Sequence, residues 1–214
     1  MKLLILNSGL GHRMGDLTKD RPKCMTDIGG DTILSRQLEC ALESGIRDVI
    51  ITTGYYDTVL AEYCKSLRLP LDIRFVKNPI YDKTNYIYSI YCAREFLNDD
   101  IVLMHGDLVF DYCVFDKIAK SEHSCMAVDF NAPLPQKDFK AVLSGNRITK
   151  VGIEFFNDAV AAQPLYKLLK PDWSKWLGKI IEYCERNETN CYAENALNDT
   201  THSCNIAPFD LGGK

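Results

Sequence analysis

The residues best placed to do chemistry lie in one stretch, Leu6-Asn7-Ser8-Gly9-Leu10-Gly11-His12-Arg13-Met14-Gly15-Asp16-Leu17-Thr18-Lys19-Asp20-Arg21-Pro22-Lys23. Gly9 and Gly11 carry no Cβ, so the backbone there can approach a ligand closely. Arg13, Lys19, Arg21 and Lys23 set four cations against two anions, Asp16 and Asp20. Backbone amides and cations together suit such a stretch to hold a polyphosphate. A carboxylate that complements it is Asp107, which follows the apolar run Ile101–Met104 through His105-Gly106. A magnesium ion needs one or two carboxylates and shares its other positions with water and phosphate oxygens.

Spacing excludes two common phosphate motifs. The dinucleotide fingerprint G-x-G-x-x-G would need glycine where Met14 stands, and a helix would have to begin at once. The next helical pattern begins only near Thr32. A P-loop needs Gly-Lys followed by Ser or Thr, but Gly178-Lys179 is followed by Ile180. No G-x-S-x-G elbow occurs, and His12, His105, His123 and His202 have no metal-like spacing. What remains is a long irregular loop whose amides and basic side chains surround a nucleotide.

The elements that must position these residues alternate. Leu3–Leu6 reads as a buried strand leading into the loop. Ile33, Leu34, Leu38, Ala41 and Leu42 make one helical face, closed by Gly45 as a left-handed cap. Val49–Thr53, Ile73–Val76 and Ile101–Met104 read as strands, and Val59–Leu67 and Ile87–Leu97 as helices. This alternation predicts an α/β fold, with a mostly parallel sheet and helices on both faces. Ligands on such sheets gather beyond the carboxyl ends of the strands. Past Met126, Ala127–Asp129, Ala141–Leu143 and Arg147–Val151 read as short strands, with Gly145-Asn146 as a hairpin turn. Asp172 is expected to cap a helix through Trp173, Trp176, Leu177, Ile180, Ile181 and Cys184.

With 214 residues, 46% of them apolar and 25% charged, the chain can bury one sizeable core. Residues 1–214 are expected to form one domain, with a nucleotide-binding half over 1–125 and an acceptor-binding half over 126–214. The net charge of −4 argues against a general nucleic-acid binder. No apolar stretch is long enough to cross a bilayer, and Met1–Leu6 is too short for a signal peptide. The nine cysteines lack the two-residue gap of a zinc knuckle or redox pair, and read as reduced thiols of a cytoplasmic protein.

The spaced residues Leu6-x-x-Gly9-x-Gly11-x-Arg13-Met14-x-x-Leu17-Thr18-x-x-x-Pro22-Lys23 resemble the signature loop of the sugar-phosphate nucleotidyltransferase superfamily. A second run, Asn78-Pro79-Ile80-Tyr81 through Asn85-Tyr86-Ile87-Tyr88-Ser89, resembles its CTP:phosphocholine and phosphonate cytidylyltransferase branch. His105-Gly106-Asp107-Leu108-Val109-Phe110 is similar to the family's metal segment.

This resemblance implies a Rossmann-like nucleotidyltransferase fold with a small acceptor-binding β/α region. It implies transfer of CMP from CTP to a small phosphorylated or phosphonate acceptor, of the phosphocholine or 2-aminoethylphosphonate type, with release of pyrophosphate. Mg2+ would be the cofactor and Asp107 its first ligand. Leu6, Asn7, Ser8, Gly9, Gly11, His12 and Gly106 would surround the nucleotide. Lys23, set by Pro22, and Arg13, whose fork spans two oxygens, would contact phosphates and share catalysis with Asp107. Asn85 is a candidate to read the base or orient a phosphate, and Ser89 to cap a helix or touch the ligand. The tyrosines, Tyr88 among them, would wall a cationic head group. Lys140 would hold the acceptor phosphate, and Asp129 or Glu154 would pair with an amine. Family members continue past a segment like Phe209–Gly213 into a strand with a second acidic metal ligand. This sequence stops at Lys214, so either the catalytic chain is truncated or another carboxylate near the acceptor, such as Glu194, substitutes. Two alternatives stay open: a sugar-1-phosphate nucleotidyltransferase using UTP or dTTP, and a nucleotide-binding homologue without catalysis.

Overall fold

The computed structural model describes residues 1–9, 11 and 19–213. The apolar runs of the first half become four parallel strands: β1 (Lys2–Asn7), β2 (Asp48–Thr53), β3 (Asp72–Lys77) and β4 (Ile101–His105). β1 lies between β2 and β4, with Leu6 opposite both Thr52 and His105. Leu3, Leu4 and Ile5 are fully buried, because helices cover both faces of a parallel sheet. Leu3 and Ile5 pack with Val102 and Met104 against α1 (Ile33–Glu43), α2 (Asp57–Ser66) and α4 (Tyr112–Ala119). Leu4 and Leu6 point the other way, with Leu103, toward α3 (Tyr86–Ala93) and α5 (Lys170–Glu185). The period of two along one strand thus feeds two separate cores.

The second half adds β5 (Cys125–Asp129), β6 (Lys140–Leu143), β7 (Ile148–Gly152), β8 (Ala159–Leu168), α6 (Ala193–Asn198) and β9 (Ala207–Asp210). The strand order is β3-β2-β1-β4-β8-β5-β9, with β6 on β8 and β7 on β6. β8 runs antiparallel to β4, β5 and β6, whereas β5 and β9 run with the first four strands. Gly145, at φ +59°, turns the β6–β7 hairpin, and Gly45, at φ +82°, ends α1.

Three details differ from the sequence reading. First, Gln163–Lys167, a segment assigned to no strand from the sequence, is the middle of β8, where Leu165, Tyr166 and Lys167 are buried. Pro164 sits where the β5–β8 register shifts, a place that tolerates a missing N–H. Second, α5 begins at Lys170 behind Leu169, so Asp172 is not its cap. Its carboxylate instead accepts from the Ser124 hydroxyl (2.6 Å) and the Asn205 N–H (3.0 Å), tying α5 to the neighbouring loops. Third, the Ile87–Leu97 helix stops at Ala93 and tightens into a 3-10 turn over Arg94–Phe96.

All nine cysteines are free. Burial raises the Cys40 thiol to about 11 and that of Cys64 to about 12, so both stay protonated and inert. Among the described residues no helix is long and apolar enough to cross a membrane.

Candidate functional site

A cavity of about 590 Å³ opens beyond the carboxyl ends of β1 and β4. Its first wall is the end of β1: Leu6, Asn7, Ser8 and Gly9 line it, as does Gly11. The Asn7 side-chain amide lies against Gly106, where any Cβ would overlap it. Gly106 therefore serves the site by making room, not by lining it. Asn7 Nδ2 and Ser8 Oγ are buried without a partner among the described residues. His12 and Arg13 lie outside the described residues.

The second wall carries the charges. Pro22, in extended conformation, leads into a single 3-10 turn over Lys23–Met25. Lys23 Nζ stands 3.2 Å from Asp107 Oδ2, with the two side chains 24% and 45% exposed. A solvated pair of this kind contributes at most about 1 kcal/mol. It is too weak to be a stability device, and an incoming cation or phosphate can separate it. The turn bearing Asp107 is held from behind by α1. Gln37, itself buried, donates from Nε2 to the carbonyls of His105 (3.2 Å) and Leu108 (2.9 Å). Arg21 is paired with Asp20 (2.9 Å) in the open. The Lys19 carbonyl accepts from the Tyr56 hydroxyl (3.0 Å).

The third wall is built around Asn78. Its Nδ2 donates to Thr84 Oγ1 (3.0 Å) and Ser89 Oγ (3.1 Å), and its Oδ1 accepts from the Ile80 N–H (3.0 Å). Ser89 lines the cavity with its oxygen already engaged. Asn85 also lines it, and caps α3 by accepting from the Tyr86 N–H (2.8 Å). Gly54 lets the segments meet, since a Cβ there would overlap the Ser8 carbonyl and stand 3.0 Å from the Tyr81 ring.

The fourth wall is aromatic. Tyr86, His105 and Tyr192 line the cavity. The Tyr86 ring lies 4.7 Å from His105 and 5.9 Å from Tyr192. Phe139 closes the group from behind, 5.2 Å from Tyr192 and 6.5 Å from His105. Burial lowers the His105 pKa to about 4; Asp107 pulls it up and Lys23 adds to the lowering. The ring is neutral at pH 7, and among the described residues its Nε2 has no partner. Glu194 sits behind this wall, 1% exposed, accepting from the hydroxyls of Tyr86 and Tyr166. Burial raises its carboxyl pKa, while the two phenols draw it down. Both phenols are pushed well above their usual range, first by burial and then by the Glu194 charge.

Five expected site residues stand elsewhere. Tyr88 does not line the cavity and stacks on Tyr91 at 5.5 Å, because consecutive residues of α3 are turned about 100° from one another and Tyr88 shares its face with Tyr91, not Ser89. Asp129 turns back on its own loop, accepting from the N–H groups of Asn131 (2.8 Å) and Ala132 (3.0 Å). Lys140 is fully buried, with its ammonium on the carbonyls of Pro135 and Asp138. Glu154 is exposed beside Gly152, past the end of β7, and does not line the cavity. Glu194 cannot serve as a metal ligand, since both oxygens are taken by phenols in a buried site. Among the described residues no three acidic, His or Cys side chains converge to cage a metal. The half-exposed Asp107 fits the other kind of site, one carboxylate with phosphate and water completing the shell.

Sequence reasoning missed Gln37, Asn78, Phe139 and Tyr192 as site residues. Asn78 lay inside a recognised segment. For Gln37 the only local signal was a polar side chain on the apolar face of α1.

Comparison with known proteins bears on this geometry. Residues 3–132 match the MobA-like NTP transferase domain. The chain is similar to the CTP:phosphoglutamine cytidylyltransferase of Campylobacter jejuni, at 32% identity over 136 residues, 60% of this chain and 53% of that protein. It is 31% identical over 134 residues to the CMP-5'-(3-aminopropyl)phosphonate synthase of Streptomyces rubellomurinus, 63% of this chain and 21% of that protein. To the choline-phosphate cytidylyltransferase of Haemophilus influenzae it is 34% identical over 124 residues, 58% of this chain and 50% of that protein. The chain spans about half the length of the first and third relatives and about a fifth of the second. In shape it is similar to the inositol-1-phosphate CTP transferase from T. maritima, with a TM-score of 0.80 and 20% identity over 99% of this chain and 85% of that one. The CTP:phosphocholine cytidylyltransferase from Streptococcus pneumoniae gives a TM-score of 0.76 and 22% identity over 99% of this chain and 90% of that one. At these identities the two structures speak to the fold alone. With more than half of its length matched, the chain belongs to the MobA-like NTP transferase domain family.

Proposed function

We propose that this protein is a cytidylyltransferase, which moves CMP from CTP to a small phosphorylated or phosphonate acceptor and releases pyrophosphate. The observation that carries the reading is the Lys23–Asp107 pair, 3.2 Å apart in one cavity at the carboxyl ends of β1 and β4. The cytidylyltransferases among its relatives support the choice of CTP. In the reaction an oxygen of the acceptor attacks the α-phosphorus in line. The bond from that phosphorus to its bridging oxygen breaks, and the electron pair leaves with pyrophosphate. The acceptor oxygen is already anionic, so no protein base is required. Lys23 offsets charge on the departing phosphates, with Arg13 as its partner from the loop. Asp107 is the residue to hold Mg2+, whose contribution when bound is charge neutralisation at the triphosphate. Asn7 Nδ2 and Ser8 Oγ are donors left for the nucleotide.

The aromatic wall suits an acceptor with a cationic head. Tyr86, His105 and Tyr192 present rings to the cavity, and Glu194 puts a carboxylate behind them. Rings attract an alkylammonium group by about 0.5–2 kcal/mol, more as water is excluded. This favours acceptors of the phosphocholine or 2-aminoethylphosphonate type.

The test is pyrophosphate release from CTP and Mg2+ with phosphocholine, phosphoethanolamine or 2-aminoethylphosphonate, set against UTP with glucose-1-phosphate. Release is expected with CTP and at least one amine acceptor, and Asp107→Asn should lower kcat by about 100-fold or more. Turnover only with UTP and the sugar phosphate would replace the acceptor class. CTP binding without any turnover would leave a nucleotide-binding homologue.

A further inference from the structure

Residues 130–139, between β5 and β6, form no helix or strand, yet both ends are tied. At the start, Asp129 Oδ1 accepts from the N–H groups of Asn131 and Ala132. At the end, the Lys140 ammonium donates to the carbonyls of Pro135 (2.6 Å) and Asp138 (3.1 Å). It also lies 4.2 Å from the centre of the Phe156 ring, in the β7–β8 turn. An ammonium has three N–H donors and no acceptor. Two of them reach carbonyls, and the ring face receives the rest of the charge. Lys140 is 0% exposed, and among the described residues it has no ion-pair partner. A buried cation persists only where its donors are matched. Here the matching groups all come from this segment and the turn beside it. Direct contact with an acceptor phosphate would need an exposed ammonium with a spare donor, and Lys140 has neither.

The clasp has a beneficiary. Phe139 lies between the last clasped carbonyl and Lys140 itself. It is 7% exposed, its carbonyl accepts from the Ala162 N–H (3.0 Å), and its ring backs Tyr192 and His105. We infer that Lys140 is a positioning residue for acceptor recognition: its ammonium gathers residues 130–138 and so seats Phe139 behind the aromatic wall, without touching the acceptor. The catalytic half of this inference rests on the acceptor reading of that wall.

The test pairs two measurements on the full chain for Lys140→Met, Lys140→Arg and Phe156→Leu. One is amide hydrogen exchange with no substrate added; the other is KM and kcat for phosphocholine and CTP. Lys140→Met should speed exchange across 130–139 by about tenfold. It should raise the acceptor KM by about tenfold while kcat and the CTP KM stay within about twofold. Lys140→Arg keeps the charge and donors and should restore most of both. Phe156→Leu should shift both the same way by less; the ring is 43% exposed, so this variant remains informative should Lys140→Met fail to fold. Unchanged exchange, equal rises in both KM values, or faster exchange with an unchanged acceptor KM would each overturn the inference. So would a raised acceptor KM without faster exchange, which is the mark of direct contact. A native chain that releases no pyrophosphate defeats the proposed function instead; the clasp is then judged by exchange together with calorimetric binding of phosphocholine.

Discussion

Two carboxylates of this site have opposite surroundings, and the surroundings set what each can do. Asp107 is half exposed beside Lys23, free to exchange that partner for a cation. Glu194 is sealed behind the aromatic wall with two phenols on its oxygens. Burial raises the Glu194 pKa above its ordinary 4.5. The folded chain therefore holds this proton more tightly than the unfolded one. Its stabilising share is full below the ordinary value and is lost as pH rises through the folded value. Glu194→Gln removes that loss, so its melting temperature should fall less than the native one as pH rises above the ordinary carboxyl value. Parallel curves for the two proteins would show that another group sets the slope. The sequence marked Lys23 and Asp107, 84 residues apart, because each follows a strand at its carboxyl end. It could not show that Glu194 and Lys140 are buried, because burial comes from residues far along the chain.

Among the elements, α1 does more than cover the sheet. Thr32 accepts from the Ser35 N–H (3.0 Å) and Ser35 Oγ from the Thr32 N–H (2.9 Å), a reciprocal cap. The helix so started carries Gln37 to the turn that bears Asp107. Thr32→Ala should destabilise the fold by about 1 kcal/mol, read from urea unfolding. A change below about 0.3 kcal/mol would mean that the Tyr63 hydroxyl or water takes over the cap. Elements with a clean period were legible: β1, β2, β4 and α1 follow their apolar spacing. β8 was not, because Pro164 and the run of small residues before it hide a strand whose partners, β4 and β5, decide its place. Asp172 misled for a related reason. An Asp ahead of an apolar helical face reads as a cap, yet Pro171 lets the helix start one turn earlier.

For the whole molecule, β8 joins the halves into one sheet by pairing β4 on one side and β5 on the other. The cavity draws on both: Lys23, Asn78 and Asp107 come from the first half, and Tyr192 from the second. Ligand in the cavity should therefore stabilise the chain as a unit. At 100 times its Kd, CTP with Mg2+ should add about 2.7 kcal/mol, seen as a rise in melting temperature, and should do so at lower concentration than UTP or dTTP. An equal response to all three nucleotides would remove the case for CTP.

Local spacing alone determined the glycine- and cation-rich loop pattern, the carboxylate after β4 and the alternation that makes the α/β sheet. Each is a matter of glycine placement, strand period or a few neighbouring residues, so each is written in consecutive sequence. The tertiary structure alone decided which charged side chains face the cavity. Tyr88 turns to Tyr91, Glu194 hides behind Tyr86, and Lys140 is spent on Pro135 and Asp138. Those outcomes depend on what remote segments bring to each side chain, and no window of local sequence contains them.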